Sequence, residues 1–209
     1  QVIKHGLGRT PQCLLIKNTA TGSTDWAVYQ ARTDADLTQA GDYFIRLNTD
    51  AARSNNDGYF NDTFTTATDI TLGADNPVNG NGVDIIMYAF CNVPGYCRMG
   101  GYYGANRSHG PFVYCGFKPA TIIVKATTSG GWYIYNSQTG YNGARPYLQA
   151  NATSAEDTNE GNFGIDLNAN GFKIHGSNAG IDPDGGQVCY MAWADEPLIS
   201  NNGKSATAR

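Results

Sequence analysis

The sequence predicts an all-β protein made of two tandem, similar modules, each an antiparallel β-sandwich. Three observations carry this prediction: short apolar runs bounded by turn residues, the lack of any long window with helical periodicity, and strings that recur in the same order along the chain. The 209 residues include 26 glycines and only 15% charged residues, a composition that excludes a disordered or coiled-coil chain. A chain of this length has room for one or two hydrophobic cores.

The internal repeat is the strongest of these signals. Gly, Pro and Lys keep their spacing between the first pair of matched segments, and the other matches follow in the same order at a nearly constant offset. The matched segments are residues 8–17 with 116–125, 26–29 with 132–135, Asn48 with Asn151, and 82–94 with 185–197. Two copies of one supersecondary unit explain this order better than chance identity does.

Within each copy the first apolar run predicts a buried strand. Residues 14–16 and 122–124 are apolar, carry β-branched side chains, and lie between a proline and a cluster of Thr, Ser and Gly. The further predicted strands are residues 70–72, 165–167 and 171–175. Turns rich in Asn and Gly separate them. Helix is limited to single turns, with candidates at residues 33–37 and 153–157.

The two copies divide the chain into four predicted segments. These are a first sandwich at residues 1–94, a Gly- and Tyr-rich connector at 95–115, a second sandwich at 116–200 and a polar C-terminal tail at 201–209. The favoured architecture is two side-by-side sandwiches of the jelly-roll or lectin-like kind. The alternative is one concanavalin-like sandwich to which both copies contribute strands, and the sequence does not separate the two.

Charge and hydropathy argue against two classes of partner. The formal net charge is −4 and the 14 Lys and Arg residues are scattered singly. No basic stripe is therefore present to neutralise a run of phosphates, and nucleic acid is not an expected partner. The longest apolar run, residues 85–91, is far shorter than the roughly 20 residues needed to cross a bilayer, so membrane insertion is not expected.

The sequence contains no recognised catalytic pattern, and we predict that the protein is not an enzyme and uses no cofactor. A nucleophile elbow, a zinc-protease helix, a P-loop and the E-x-D-x-x-E string of sandwich glucanases are all missing. The five cysteines lack any C-x-x-C spacing and are predicted to be mostly free thiols. The three histidines are isolated from one another in sequence, so no metal site is predicted from them.

Two oxygen-rich segments are candidates for binding Ca²⁺. Residues 75–82 and 182–186 combine Asp, Asn, Pro and Gly, and in the second segment Asp182 and Asp184 are the candidate ligands. The same residue types are those that β-turns need. A turn before the last strand of each copy is therefore the preferred interpretation.

A surplus of Tyr, Asn and Thr outside the predicted cores is typical of a recognition surface. Tyrosine rings give rigid contact area and stack on sugars, while Asn and Thr exchange hydrogen bonds with hydroxyl groups. The candidate ligand-binding residues are Tyr102, Tyr103, Arg107, His109, Tyr141 and Arg145. The alternative interpretation is that these aromatic residues pack between the two copies or at an oligomer interface.

Short strings along the whole chain point to a family resemblance. The first copy carries a G-L-G element at residues 6–8, a D-W-x-V-Y element at 25–29 and a Y-A-F-C element at 88–91. The second half carries the related strings at residues 110–114, 116–125, 131–135, 170–174, 190–197 and 206–209. Together these strings resemble the C-terminal region of tail-fibre and minor structural proteins of marine tailed bacteriophages.

The resemblance implies a bacteriophage virion structural protein that is exposed on the surface of the particle after assembly in the host cytoplasm. By analogy, it implies a distal tail-fibre domain that binds a host surface glycan or receptor, contacts other virion proteins and forms a homo-oligomer, with a trimer favoured. It implies no catalytic residues. The alternative is a capsid-decoration or fibre-stabilising module without receptor binding. A fold-level analogy to the H-type lectin module carries no function by itself.

Overall fold

The chain folds into antiparallel sheets, and the predicted all-β class is confirmed. The structure is a computed structural model that describes residues 1–20, 22–32, 40–143, 145–158 and 161–196, so the predicted tail at 201–209 lies outside the described residues. The chain divides into two compact units, Gln1–Cys91 and Asn92–Arg209. In the described part of the chain, no helix has the length and apolar character needed to span a membrane.

The first unit is built on one five-stranded antiparallel sheet. Its strands are β1 (Val2–Lys4), β2 (Pro11–Asn18), β3 (Ala27–Gln30), β4 (Tyr43–Arg46), β5 (Ser54–Asn55), β6 (Asp69–Thr71) and β7 (Ile85–Cys91). A 3-10 turn (Ala40–Asp42) and two single-turn helices, α1 (Asp57–Phe60) and α2 (Asn76–Asn79), complete the described elements. The large sheet has the order β5-β4-β3-β2-β7, and β1 pairs with β6.

The core of the first unit lies between the large sheet and the elements that cover it. Leu14 and Ile16 alternate along β2 and are fully buried, together with Phe60 of α1 and Ile70 of β6. Alternate residues of a strand face the same side, so this spacing turns one side of β2 toward the core.

The helical turns lie at other positions than the sequence predicted. Of the two candidates, residues 153–157 are not helical, and residues 33–37 lie outside the described residues.

The second unit contains two sheets packed face to face. Its strands are β8 (Cys97–Tyr103), β9 (Phe112–Tyr114), β10 (Pro119–Ala126), β11 (Tyr133–Asn136), β12 (Leu148–Gln149), β13 (Gly164–Asn168), β14 (Gly171–His175) and β15 (Gln187–Ala194). The larger sheet has the order β12-β11-β10-β15-β8 and the smaller one the order β13-β14-β9. Buried side chains of both sheets form one hydrophobic cluster, which gives this unit the character of a β-sandwich.

The predicted connector at residues 95–115 supplies two strands of the second unit. β8 pairs with β15, with Met99 opposite Met191, and β9 pairs with β14. The unit boundary therefore falls at Cys91, before the segment that the sequence analysis separated as a connector. Backbone pairing satisfies the N–H and C=O groups of this Gly-rich stretch, which explains why it is ordered.

The two units share an arrangement of four strands. The orders β4-β3-β2-β7 and β12-β11-β10-β15 correspond. In both units the pairing register shifts just after the proline that begins a strand, between β2 and β7 in the first unit and between β10 and β15 in the second. An asparagine oxygen also accepts the backbone N–H of the matched tryptophan in both units, from Trp26 to Asn48 at 2.9 Å and from Trp132 to Asn151 at 2.8 Å. These pairs were matched in the sequence comparison.

All five cysteines are free of disulfides, and Cys115 lies in the core of the second unit. Burial raises the pKa of the Cys115 thiol to about 12. The thiolate is the reactive form of cysteine, so a raised pKa makes a thiol unreactive at neutral pH.

We expect Cys115 to resist alkylation while the protein is folded. Treatment with iodoacetamide near neutral pH should leave the Cys115 peptide unmodified, and the same treatment in denaturant should modify it, as read by peptide mass spectrometry. Cys91, which is only partly buried, is the internal control and should react first. Equal labelling of both cysteines in the folded protein would contradict the burial of Cys115.

A salt bridge joins the start of β10 to the end of β15. Lys118 Nζ lies 2.7 Å from Asp195 Oδ2, and Ser137 Oγ donates to Asp195 Oδ1 at 3.2 Å. The hydrogen bond from Lys118 holds the pKa of Asp195 below its usual value. Asp195 therefore stabilises the folded state only while it is ionised.

We expect acid to remove the stabilisation that Asp195 provides. Its folded-state pKa is lowered, so its contribution is complete above the usual aspartate pKa of 3.8 and is lost as the pH falls through the lower folded-state value. Urea unfolding between about pH 6 and pH 2 should show a smaller loss of unfolding free energy on acidification for Asp195→Asn than for the parent protein. If the unfolding free energies of the two proteins changed in parallel with pH, the ionisation of Asp195 would not be coupled to folding.

Candidate functional site

The smaller sheet of the second unit is buried on one side only. Along β14, Phe172 and Ile174 are fully buried in the core, whereas Lys173 and His175 between and after them are partly exposed. The same alternation holds for β9, where Val113 is buried between two exposed residues. We call the solvent-facing side of this sheet the outer face. Its side chains are those of Phe112, Tyr114, Asp166, Asn168, Lys173 and His175.

Two exposed aromatic rings form one end of the outer face. Phe112 is 47% exposed and Tyr114 is 57% exposed, and both lie on β9 at the edge of the sheet. A Cβ atom placed on Gly171 would come within 3.1 Å of Phe112 Cζ, so the Phe112 ring lies against this glycine. Arg98 lies over the Tyr114 ring, with its guanidinium carbon 5.8 Å from the ring centroid. Two exposed rings therefore lie on the same edge strand, and a cation lies beside one of them.

The opposite end of the outer face is polar. His175 Nε2 lies 2.6 Å from Asp166 Oδ2, and the backbone N–H of Gly143 donates to Asp166 Oδ1 at 2.7 Å. The His109 ring meets the His175 ring edge-on, with 5.8 Å between centroids. A groove of about 380 Å³ is lined here by Ser108, Gly143, Gly161, Gly164, Asp166, His175 and Gly176. The polar end therefore places a carboxylate, which accepts hydrogen bonds, and imidazole rings, which can donate or accept them, beside an open groove lined by several glycines.

Two of the residues predicted to bind a ligand lie beside this polar end. His109 contacts His175, and it is an exposed residue of the loop that precedes β9. Tyr141 is 72% exposed and comes two residues before Gly143, which lines the groove. Both residues sit on loops, where binding side chains are commonly found.

Two other residues that were predicted to bind a ligand are buried and form hydrogen bonds within the protein. Tyr102 is only 8% exposed, and its hydroxyl donates to the carbonyl of Ile181 at 2.6 Å. It neighbours Tyr103 on a strand, so the two side chains point to opposite sides, and Tyr102 enters the core. Arg145 is only 6% exposed, and its guanidinium donates to the carbonyls of Asn136 at 2.6 Å and Thr139 at 2.9 Å. Arg145 therefore holds the loop that carries Tyr141.

The remaining two predicted residues lie outside the outer face. Tyr103 is 50% exposed, but it belongs to β8 in the larger sheet. Arg107 is exposed in the loop that precedes β9, and its backbone N–H donates to Asp182 Oδ2 at 2.9 Å. The structure therefore does not gather the six predicted residues into one site.

The calcium candidate Asp182 is used in another way. Its side chain is fully buried, and its two carboxylate oxygens accept backbone N–H groups from Ala105 at 2.7 Å and Arg107 at 2.9 Å. Asp184 is exposed in the adjoining turn. In the described residues, no cluster of three or more His, Cys, Asp or Glu side chains suits a metal ion. Asp182 thus anchors the loop that carries Ser108 and His109.

We expect Asp182→Ala to destabilise the protein. The change leaves two partly buried N–H groups without an acceptor and removes a fully buried carboxylate, which lowers the unfolding free energy by roughly 3 kcal/mol in chemical denaturation. Asp182→Asn keeps one acceptor oxygen and is the matched control, with a smaller loss. Added calcium should leave the melting temperature of the parent unchanged, and a clear rise would contradict the assignment of both oxygens to backbone donors.

The outer face carries residues that the sequence analysis did not select for binding. Phe112 and Tyr114 lie two residues apart, a spacing that places both on one side of a strand, but they fell in the predicted connector. Lys173 and His175 alternate with apolar residues in a strand that the sequence did predict. The sequence shows this alternation of side chains, but the alternation identifies the residues that share the outer face only once the partner of each strand is known.

The profile of one protein family covers almost the whole chain. The family is described as Domain of unknown function (DUF7483), and its profile matches residues 1–197. No curated protein and no solved structure matches the chain.

Proposed function

The chain belongs to the DUF7483 family, and we propose that its outer face binds a glycan on a host cell surface. The observation that carries the proposal is the presence of two exposed aromatic rings, Phe112 and Tyr114, on the same face of a sheet as the Asp166–His175 pair. The C–H faces of a sugar ring are apolar and pack on aromatic rings, whereas its hydroxyl groups exchange hydrogen bonds with carboxylate and imidazole groups.

The biological setting in this proposal is a bacteriophage particle. The resemblance of short strings to tail-fibre and minor structural proteins of marine tailed phages supports a distal tail-fibre domain on the virion surface, assembled in the host cytoplasm as a homo-oligomer, with a trimer favoured. The proposed partners are other virion proteins and the host glycan or receptor. The proposed activity is binding without catalysis.

The geometry of the outer face supports a binding role through its rigidity. The Asp166–His175 pair lies on neighbouring strands, and the rings of Phe112 and Tyr114 lie on the third strand of the same sheet. Side chains fixed on strands lose little conformational freedom when a ligand binds, which favours affinity.

A purely structural virion role is the second candidate. The observation that favours it is a pair of exposed apolar residues on β7 of the first unit, Ile86 at 48% and Tyr88 at 51% exposure. Exposed apolar side chains on a strand are suited to a contact between protein subunits. In this role the protein would decorate the capsid or stabilise a fibre, and the rings of the outer face would also be buried against protein.

We expect the outer face to be required for glycan binding. The purified protein is tested on an array of bacterial lipopolysaccharides and capsular polysaccharides, with its mass in solution measured in the same preparation. Phe112→Ala and Tyr114→Ala should each weaken binding about tenfold, because each removes apolar area that the sugar covers. Tyr103→Ala removes an equally exposed ring of the same unit and is the matched control, with affinity unchanged.

Three outcomes separate the candidates. Binding that is lost in the outer-face variants and kept in the control supports glycan recognition. Binding that is equally weakened in all three variants would place the contact elsewhere. A folded protein that binds no glycan, and whose oligomeric mass falls in Phe112→Ala, Tyr114→Ala or Tyr88→Ala, would favour the structural role.

A further inference from the structure

We infer that the ligand of the outer face is an extended glycan chain that crosses the sheet at right angles to its strands. This inference rests on the proposed function above and adds the class and direction of the ligand. The chain runs from the aromatic rings of β9, over β14 and β13, to the loop that carries Tyr141. An internal stretch of a polysaccharide fits this path, whereas a single terminal sugar occupies only part of it.

The strand register places one continuous row of side chains along this path. Phe112 on β9 lies opposite Lys173 on β14, and Lys173 lies opposite Asp166 on β13. Neighbouring strands are about 4.8 Å apart, so the row spans roughly 10 Å before the loop is added. A single pyranose ring is shorter than this row and leaves one of its ends without a contact.

Glycines lie on both sides of this row of side chains. Gly171 lies opposite both Tyr114 and Asn168, and the Phe112 ring lies against it, so the apolar end of the path extends from β9 onto β14. On the other side of the row, Gly164 lies opposite His175 and helps to line the groove. Enclosed pockets surround most of a small ligand with side chains. An open groove on the face of a sheet instead contacts one side of a ligand and leaves its two ends free to continue.

The row continues beyond the sheet into the Tyr141 loop. The backbone N–H of Gly143 donates to Asp166 Oδ1 at 2.7 Å, which attaches the loop directly to the last residue of the row. The Asn142 side chain accepts from the backbone N–H of Leu167 at 2.9 Å and donates to its carbonyl at 3.0 Å. Asn142 thus takes the place of a neighbouring strand at the edge of β13.

Arg145 fixes the base of the same loop. Its guanidinium donates to the carbonyls of Asn136 and Thr139 and to Asn142 Oδ1 at 3.1 Å. The loop is therefore tied at both ends and in the middle, and it carries Tyr141, which is 72% exposed and directly precedes Asn142 at the edge of β13. Tyr141 is then the second aromatic contact of the ligand, separated from the first by the width of the sheet.

The test is a series of oligosaccharides of increasing length, titrated against the whole protein by calorimetry. The probes are size-fractionated fragments of chitin, cellulose and the polysaccharide that gives the strongest signal on the array, from single sugars to long oligomers. We expect affinity to rise with length and then to level off once the chain reaches Tyr141. Tyr141→Ala should weaken the long oligomers about tenfold and leave the shortest binding fragments unchanged.

Matched variants make the outcome specific. Phe112→Ala should weaken fragments of every length, because its ring contacts the sugar at the start of the path, whereas Tyr103→Ala should change nothing. Circular dichroism confirms that each variant is folded. Affinity that does not depend on fragment length, or a Tyr141→Ala variant that binds long oligomers as the parent does, overturns the extended-chain inference and leaves glycan binding intact. No binding by any fragment or polysaccharide overturns both.

Discussion

The packing of Phe172 between the two sheets of the second unit is the contact on which the candidate site depends. Its ring lies edge-on to Tyr190 of β15, with 5.3 Å between centroids, and edge-on to Tyr102 of β8 at 6.0 Å. Edge-to-face pairs of this kind add stability beyond the apolar area that they bury. Because Phe172 and Ile174 are held in the core, strand geometry turns Lys173 and His175 to solvent, and the outer face follows from that orientation.

Buried polar side chains then attach the loops to this frame. Asp182 holds the loop of Ser108 and His109 through two backbone N–H groups. Arg145 and Asn142 hold the loop of Tyr141, and Asp166 joins that loop to the sheet. In each case a side chain satisfies backbone groups that a strand partner would otherwise satisfy, so the loops gain order without regular structure. Loops fixed in this way have little conformational entropy left to lose, which suits Tyr141 and His109 to the proposed binding role.

The two units share a large sheet and differ in what covers it. In the first unit, the apolar side of the sheet is covered by α1, α2 and the β1-β6 pair, and in the second by the three-stranded sheet. The outer face belongs to this second layer. The repeated strands therefore provide a scaffold in both units, and the elements that differ between the units carry the candidate site. Sites that are grafted onto a common scaffold in this way are frequent among β-sandwich proteins.

The sequence by itself determined the all-β class, the strands that begin at Pro11 and Pro119, and the Trp–Asn pairs that recur in each unit, because these depend on local periodicity and on spacing along the chain. It also placed Tyr141 and His109 among candidate binding residues. Only the tertiary structure decided that Tyr102 and Arg145 are buried and that Phe112, Tyr114, Asp166 and His175 share one face. Which side of a strand meets solvent depends on the partner that covers its other side, and that partner is distant in sequence.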